Sequence, residues 1–272
     1  MSRAGARPSL PVYLRELWGR RSFIFAMASG NNAAGNSTFA LGQAWQVLTP
    51  LLNAMVYWLI FGLLLKVTKG IDNFVAFIVV GVFVFDFISS ALMEGARAIT
   101  RNEGIIRSLH FPRAVLPTAG VLSLLLELGY SMIVGLVIVI ATGERPGWTW
   151  LEAIPALALA MMFAFGVGYL FARIGARMPD LVQLLPFLTR IWMYASGVIF
   201  SLDAQTASRA PWVGKVLNLN PAAAYLKLVR HALIGDQHAS TKTWVVAAAW
   251  GVGMLVVGFI IFWQGEEEYG RV

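Results

Sequence analysis

No cysteine occurs in the 272 residues, which excludes disulfides, thiolate metal sites and a cysteine nucleophile. Charge is scarce too: Asp, Glu, Lys and Arg make up 13 % of the chain, against roughly 25 % in soluble domains. Histidine is limited to His110, His231 and His238, whose spacing fits no metal site on one helix. Also missing is the Gly-x-x-x-x-Gly-Lys-[Ser/Thr] loop whose amides cradle nucleotide phosphates. The nearest string, Gly214-Lys215-Val216, lacks both the first glycine and the hydroxyl. No cofactor is therefore expected in this chain, and energy from ATP would have to enter through another one. Clustered carboxylates, which metal or base chemistry in a loop would need, are confined to Glu266, Glu267 and Glu268, which read as a solvated helix end. Met1 to Leu10 is polar and basic, and charges are scattered through the next segment, so no apolar signal-peptide core is expected.

What the chain has in excess is apolar length. Hydrophobic residues reach 58 % and the mean hydropathy is +0.69, the composition of a protein that lives in lipid. The net charge of +7 would suggest nucleic acid in a soluble protein. Here the bases lie between apolar runs and mark topology, so no nucleic-acid partner is expected. Six stretches approach the roughly 20 apolar residues that span a bilayer as a helix: 43–65, 73–94, 114–141, 153–172, 182–201 and 243–263. The fold class is all-α, a polytopic membrane protein with one domain over 1–272. Ahead of the spans, Leu10, Leu14, Leu17, Trp18 and Phe25 recur at helical spacing with Arg15, Glu16, Arg20 and Arg21 on other faces, predicting an amphipathic interface helix over 9–29. Gly30 to Ser37 then reads as a flexible hinge. The loop 202–242 is too apolar for a plain linker. Trp212 and Val213, then Ala222 to Ile234, predict two short re-entrant helices within 207–234.

Positive charge is retained on the cytoplasmic side of short loops. With the amino terminus inside, Arg3, Arg7, Arg15, Arg20, Arg21, Arg97, Arg101, Arg107, Arg113, Arg173, Arg177 and Arg271 fall on that side. Lys66, Lys69, Arg145, Arg209, Lys215, Lys227, Arg230 and Lys242 fall outside, most of them in one long loop. The bias predicts a multi-pass protein of the cytoplasmic membrane with both termini in the cytoplasm. The junction 107–117, Arg-Ser-Leu-His-Phe-Pro-Arg-Ala-Val-Leu-Pro, combines three bases with two prolines at a cytoplasmic turn.

Ionisable residues inside spans are costly and usually face protein or water. Asp86, Glu94, Glu127 and Arg190 are the candidates. Asp86 and Arg190 lie at similar expected depth, about 10–12 Å in at 1.5 Å per residue. A helix-locking ion pair is the simpler reading than a proton relay, with Glu127 as a second partner. Two stripes recur every three or four residues and so share a helix face: Gln46, Thr49, Asn53 and Tyr57 in the first span, and Gln183, Phe187, Arg190, Tyr194 and Ser201 in the fifth. Trp45, Trp58 and Trp192 are nearby. Aromatic faces suit sugar rings, and amides and hydroxyls suit sugar hydroxyls. The alternative for the tryptophans is an interfacial belt.

With its amphipathic start, six spans, Phe111-Pro112-Arg113-Ala114-Val115-Leu116-Pro117 between the second and third, and Asn220-Pro221 followed by Arg230 before the last, the chain resembles the type-2 ABC exporter permeases. The likeness is to the polysaccharide, O-antigen and teichoic-acid branch, nearest to permeases of the mycobacterial cell-wall galactan exporter. The resemblance implies a non-catalytic half-transporter that works as a homodimer with two copies of a separate ABC ATPase, which holds ATP and Mg, and that exports a lipid-linked glycan. It implies a coupling helix at 95–109 seated on the ATPase. Ile99, Ile105, Ile106 and Leu109 would dock there, with Arg97, Arg101 and Arg107 bonding the partner or lipid phosphates. It further implies an outer gate at 207–234 and a conduit between protomers built from the first and fifth spans, with Gln46, Thr49, Asn53, Tyr57, Trp58, Phe187, Arg190, Trp192 and Tyr194 along the path. Arg20, Arg21, Arg173 and Arg177 would steer the anionic headgroup of the lipid anchor. The competing classes are an exporter of a drug or small lipid, an ion-coupled secondary transporter using Asp86, Glu127 and Arg190, and a membrane glycosyltransferase.

Overall fold

A computed structural model of the protein describes residues 8–36, 42, 44–64, 71–109, 111–201, 216–235 and 239–269. Every regular element among them is helical. In chain order they are α1 (Leu10–Gly19), α2 (Arg21–Asn36), α3 (Ala44–Tyr57), α4 (Phe74–Arg97), α5 (Glu103–Ser108), α6 (Val115–Ala141), α7 (Ala153–Arg177), α8 (Pro179–Ala195), α9 (Pro221–Ile234) and α10 (Thr241–Gln264). A wide π-helical segment, Trp58–Leu64, continues α3, and 3-10 turns precede α5 and α7.

The apolar run of α4 makes it the central post: 83 % of its apolar window is buried inside the protein, against 11 % for Val47–Leu64 of the first span. Asn73 starts it, its Oδ1 accepting from the Ala76 amide at 3.1 Å. The same side chain donates to Thr142 Oγ1 at 2.9 Å, which pins the start of α4 to the end of α6. Lipid tails are as apolar as leucine, so nothing hydrophobic drives helices together in a bilayer, and close approach at small residues takes over. The fold uses this device along α4, α7 and α10. A Cβ at Gly95 would strike the backbone of Gly168, one at Gly175 the backbone of Ala96, and one at Gly258 the backbone of Gly166. α10 packs along α7, and α7 along α4.

Several boundaries differ from the sequence-based expectation. The interface segment is two helices broken at Arg20, and the expected hinge over 30–37 is instead helical as far as Asn36. The reason is a partner: Asn32 is buried and its amide donates to the Ser123 carbonyl at 3.3 Å, so α2 runs along α6. The stretch expected to span at 182–201 forms a helix from Pro179 to Ala195. The helix stops where Gly197 turns left-handed at φ 69°. Five helices among the described residues are long and apolar enough to cross a membrane, and α8 is not among them. The expected helix at 95–109 is three pieces: the end of α4, the turn Thr100–Asn102, and α5. Of the two outer helices the second is present as α9, while Trp212 and Val213 lie outside the described residues, as do His110, His238, Arg3, Arg7, Lys66, Lys69, Arg209, Lys215 and Arg271.

The glycine contacts set a prediction of opposite outcomes within one fold. Gly175→Val must separate α7 from Ala96 and is expected to cost the ~1–3 kcal/mol of an overpacked core or more. Gly253→Ala, with nothing within 4 Å of its new Cβ, is tolerated. Thermal unfolding of the purified variants in detergent reads both.

Candidate functional site

The two stripes are placed at the surface of the chain. Thr49 and Asn53 on α3 and Phe187, Arg190 and Tyr194 on α8 are exposed, and Tyr57 joins the helices by donating its hydroxyl toward Met193 Sδ at 3.5 Å. Gln46 lies in α3, but its side chain is outside the described residues. Trp58 and Trp192 pack on their own chain. Trp58 turns toward its own chain, lining an apolar cavity of about 230 Å³ with Leu51, Val75, Val79 and Ile138. Trp192 packs edge-on against Phe85, with centroids 5.6 Å apart, and donates its indole N–H to Asn220 Oδ1 at 2.8 Å.

The Asp86–Arg190 pair expected from matched depth is not among the ion pairs of the described residues. Depth does not define a face: Asp86 lines a crevice of about 20 Å³ with Pro50, Ser90, Glu127 and Ser131, room for about one water. Glu127 thus shares a crevice with Asp86. Glu94 is engaged elsewhere, at 3.2 Å from Arg101.

At the coupling segment, Leu109 is exposed, and Ile105 and Ile106 are half-buried. Ile106 packs on the chain's own core around Tyr13. Ile99 is 0 % exposed, a core residue that docks on nothing outside the chain. Arg97 is exposed, and Arg107 reaches back to Glu103 at 3.7 Å.

Beside this segment lies a joint that sequence reasoning missed. Glu266, expected to be solvated, is 5 % exposed. Its Oε1 accepts from the Arg113 amide at 2.9 Å and its Oε2 from the Tyr13 hydroxyl at 2.7 Å. The Tyr13 oxygen in turn accepts from the Ala114 amide at 3.1 Å, and the Arg113 guanidinium lies 3.4 Å from the carboxylate. Arg113 and Ala114 stand just ahead of α6, at the end where amides have no intrahelical partner, and Ala114 has no polar side chain of its own. Tyr13 and Glu266 supply the cap from opposite ends of the chain. Burial pushes the Glu266 carboxyl above its ordinary range, against the pull of Arg113 and Tyr13. Burial, reinforced by Glu266, drives Tyr13 far upward, so its hydroxyl keeps its proton. Two residues on, Glu268 accepts from Arg173 at 2.8 Å and from Arg177 at 2.8 and 2.9 Å. These contacts give the charges of Arg173 and Arg177 a partner within the chain. Arg20 and Arg21 remain exposed, Arg21 lying over Trp18 with its guanidinium 5.9 Å from the ring.

The opposite end has its own clamp. Arg230 is 2 % exposed. It donates to the carbonyls of Phe77 (3.2 Å), Gly197 (2.8 Å) and Val198 (2.6 Å) and lies 3.4 Å from the centroid of the Phe77 ring, in space that a Cβ at Gly81 would fill. Asn220 caps α9 at the Ala222 amide while its own amide donates to the Ala195 carbonyl and Ser196 Oγ. α9 therefore ties the end of α8 to α4. The Asn-Pro start and an arginine on a largely apolar helix were the available signals.

Comparison with known proteins decides the family. Residues 25–234 match the model of the ABC-2 type transporter family, three-quarters of the chain. The chain belongs to that family. Among curated ABC-2 relatives, it is 25 % identical over 258 residues to the O-antigen export system permease protein RfbA of Myxococcus xanthus, covering 95 % of this chain and 98 % of the relative. A protein of the same name from Klebsiella pneumoniae is 27 % identical over 85 % of this chain and 87 % of its own length. The polysialic acid transport protein KpsM of Escherichia coli is 24 % identical over 84 % and 88 %. The ABC-2 match ends at the last residue of α9 and starts within α2, so Tyr13 and Glu266 both lie beyond it.

Arg177 first, then Arg173, hold Glu268 down at about 2 from an ordinary 4.5. A depressed carboxylate stabilises the fold above its unfolded value and loses that contribution as pH falls through the folded one. The difference in melting temperature between wild type and Glu268→Gln is expected to stay constant from about pH 5 to 8 and to close as pH falls from 4.5 toward 2, in a thermal unfolding series.

Proposed function

We propose that the chain is the membrane permease of an ATP-driven exporter of lipid-linked polysaccharide, acting as a homodimer with two copies of a separate ABC ATPase in the cytoplasmic membrane. The relatives named for O-antigen export and polysialic acid transport support the cargo class. The observation that carries the dimer is Arg190. It is exposed on α8 beside Phe187 and Tyr194, and an arginine facing lipid near a span's centre costs at least ~2.5–3.5 kcal/mol on insertion scales. With Thr49 and Asn53 also exposed on α3, this face is suited to water, glycan and a second protomer. A path along a seam between protomers meets these requirements together.

Topology follows the same reading. Tyr13 on α1 touches Glu266 just past α10, which supports a topology with the two described ends on one side of the membrane and an even number of crossings. Five helices among the described residues are long and apolar enough to cross, and α8 supplies the sixth crossing, short because Gly197 and the Asn220 contacts end it. The charge bias then puts both ends in the cytoplasm, with Leu109, Ile105, Arg97, Arg101 and Arg107 toward the ATPase. ATP and Mg belong to that partner. Its closure on ATP would displace the 97–109 segment, while α9 and Arg230 would hold the outer end of α8. Arg20 and Arg21, near the inner surface, would attract the phosphates of the lipid anchor.

A chain without cysteine permits clean single-cysteine tests. Asn53→Cys or Tyr194→Cys is expected to give covalent dimers with a short bis-maleimide in native membranes, and Trp58→Cys, facing α4 and α6, is expected to give none; dimers from position 58 alone would contradict the seam. Leu109→Asp is expected to reduce ATPase retention during affinity purification at least about tenfold, as loss of roughly 1.4 kcal/mol implies, without changing the permease's melting temperature. Full retention would remove Leu109 from the docking face.

A further inference from the structure

We propose that Glu266, acting with Tyr13, is a positioning residue for energy coupling: it links the start of α6, where the coupling segment ends, to the last span and the amino-terminal helix, so that all three move together. This rests on the reading of the chain as an ATP-driven permease. The argument begins with where the cap comes from. The amides of Arg113 and Ala114 stand just ahead of α6, where the helix itself has no carbonyl to offer them. The chain brings in a hydroxyl from 101 residues upstream and a carboxylate from 153 residues downstream to accept from them. Both groups are buried, at 1 % and 5 % exposed, where charge-assisted hydrogen bonds are short and strong.

The turn carrying Glu266 is itself held at two further points. Glu268 binds Arg173 and Arg177 on α7, and Tyr269 stacks on Phe262 of α10 with centroids 4.7 Å apart. Gly265 lets the Arg173 guanidinium lie where a Cβ would be. A push on Arg113 therefore cannot tilt α6 alone. It carries Glu266, and with it the end of α10, which is locked to α7 at Gly166 and Gly258. Without the carboxylate, α6 would yield locally and the α7–α10 pair would stay behind.

Proteoliposomes holding the permease with its ATPase, loaded with the lipid-linked glycan that accumulates in cells lacking the permease, test this. Export is read by lectin protection and hydrolysis by phosphate release, and their ratio is compared among Glu266→Gln, Tyr13→Phe, the double variant, and Glu16→Gln as an exposed carboxylate on the same helix as Tyr13. Each single variant is expected to export at least roughly tenfold less per ATP, the scale of one lost hydrogen bond to a charged group. The double variant should be no worse than the poorer single one, because both break one joint. An unchanged ratio in Tyr13→Phe, which keeps its ring and the Glu266–Arg113 contact, overturns the proposal, as does a multiplicative loss in the double variant or a loss that merely tracks the amount of assembled complex. Hydrolysis without export by the wild-type complex would instead overturn the underlying functional reading.

Discussion

Helices in a bilayer lack the hydrophobic drive that assembles soluble bundles, and in this chain contact at glycine takes its place. Gly95 meets Gly168, Gly175 meets Ala96, and Gly258 meets Gly166, backbone against backbone. The same device works at both ends of the bundle with a different occupant. The guanidinium of Arg230 fills the space beside Gly81, and that of Arg173 fills the space beside Gly265. Each buried arginine then binds groups that close its end: carbonyls at the end of α8 and on α4 in one case, Glu268 in the other. Without those glycines, α4, α7 and α10 would separate and neither clamp would have a seat.

This frame divides the molecule into a packed part and an open face. α4, α7, α9 and α10 fit closely, whereas α3 and α8 present Thr49, Asn53, Arg190 and Tyr194 outward. Polar groups on the outside of a membrane helix have no stable use in lipid. The division suits the proposed exporter, in which the frame would carry displacement while the open face would meet a second copy and the cargo. The two clamps sit where such a device needs them. One holds the end of α8, and the other joins the coupling segment to the last span.

The all-α class, the long apolar helices and the spacing of the two stripes were legible in the sequence because each rests on length or periodicity. α4 and α6 follow their apolar runs closely, and Thr49, Asn53, Phe187 and Arg190 share a face as their spacing requires. What was not legible depends on which way a face turns or on a remote partner. Asp86 and Arg190 match in depth yet form no ion pair, and Asp86 shares a crevice with Glu127 instead. Trp192, two residues from both Arg190 and Tyr194 and so off the stripe's face, turns inward to Asn220, 28 residues away. Glu266 stands in a run of three glutamates after an apolar span, and nothing nearby distinguishes it from Glu267. Its partners are more than 150 residues away. Gly30 to Asn36 looked like a hinge because glycine and asparagine are weak helix formers, and burial of Asn32 against α6 overrides that preference.

The central claim is that cargo passes along the face made by α3 and α8. Photo-crosslinking from single benzoylphenylalanine positions in membranes that are actively exporting tests it most directly. Crosslinks to the lipid-linked glycan from positions 53 and 194, and none from positions 58 and 192, are the predicted result. Crosslinks from 58 or 192, with 53 and 194 silent, would place the cargo on the other side of α3 and contradict the account.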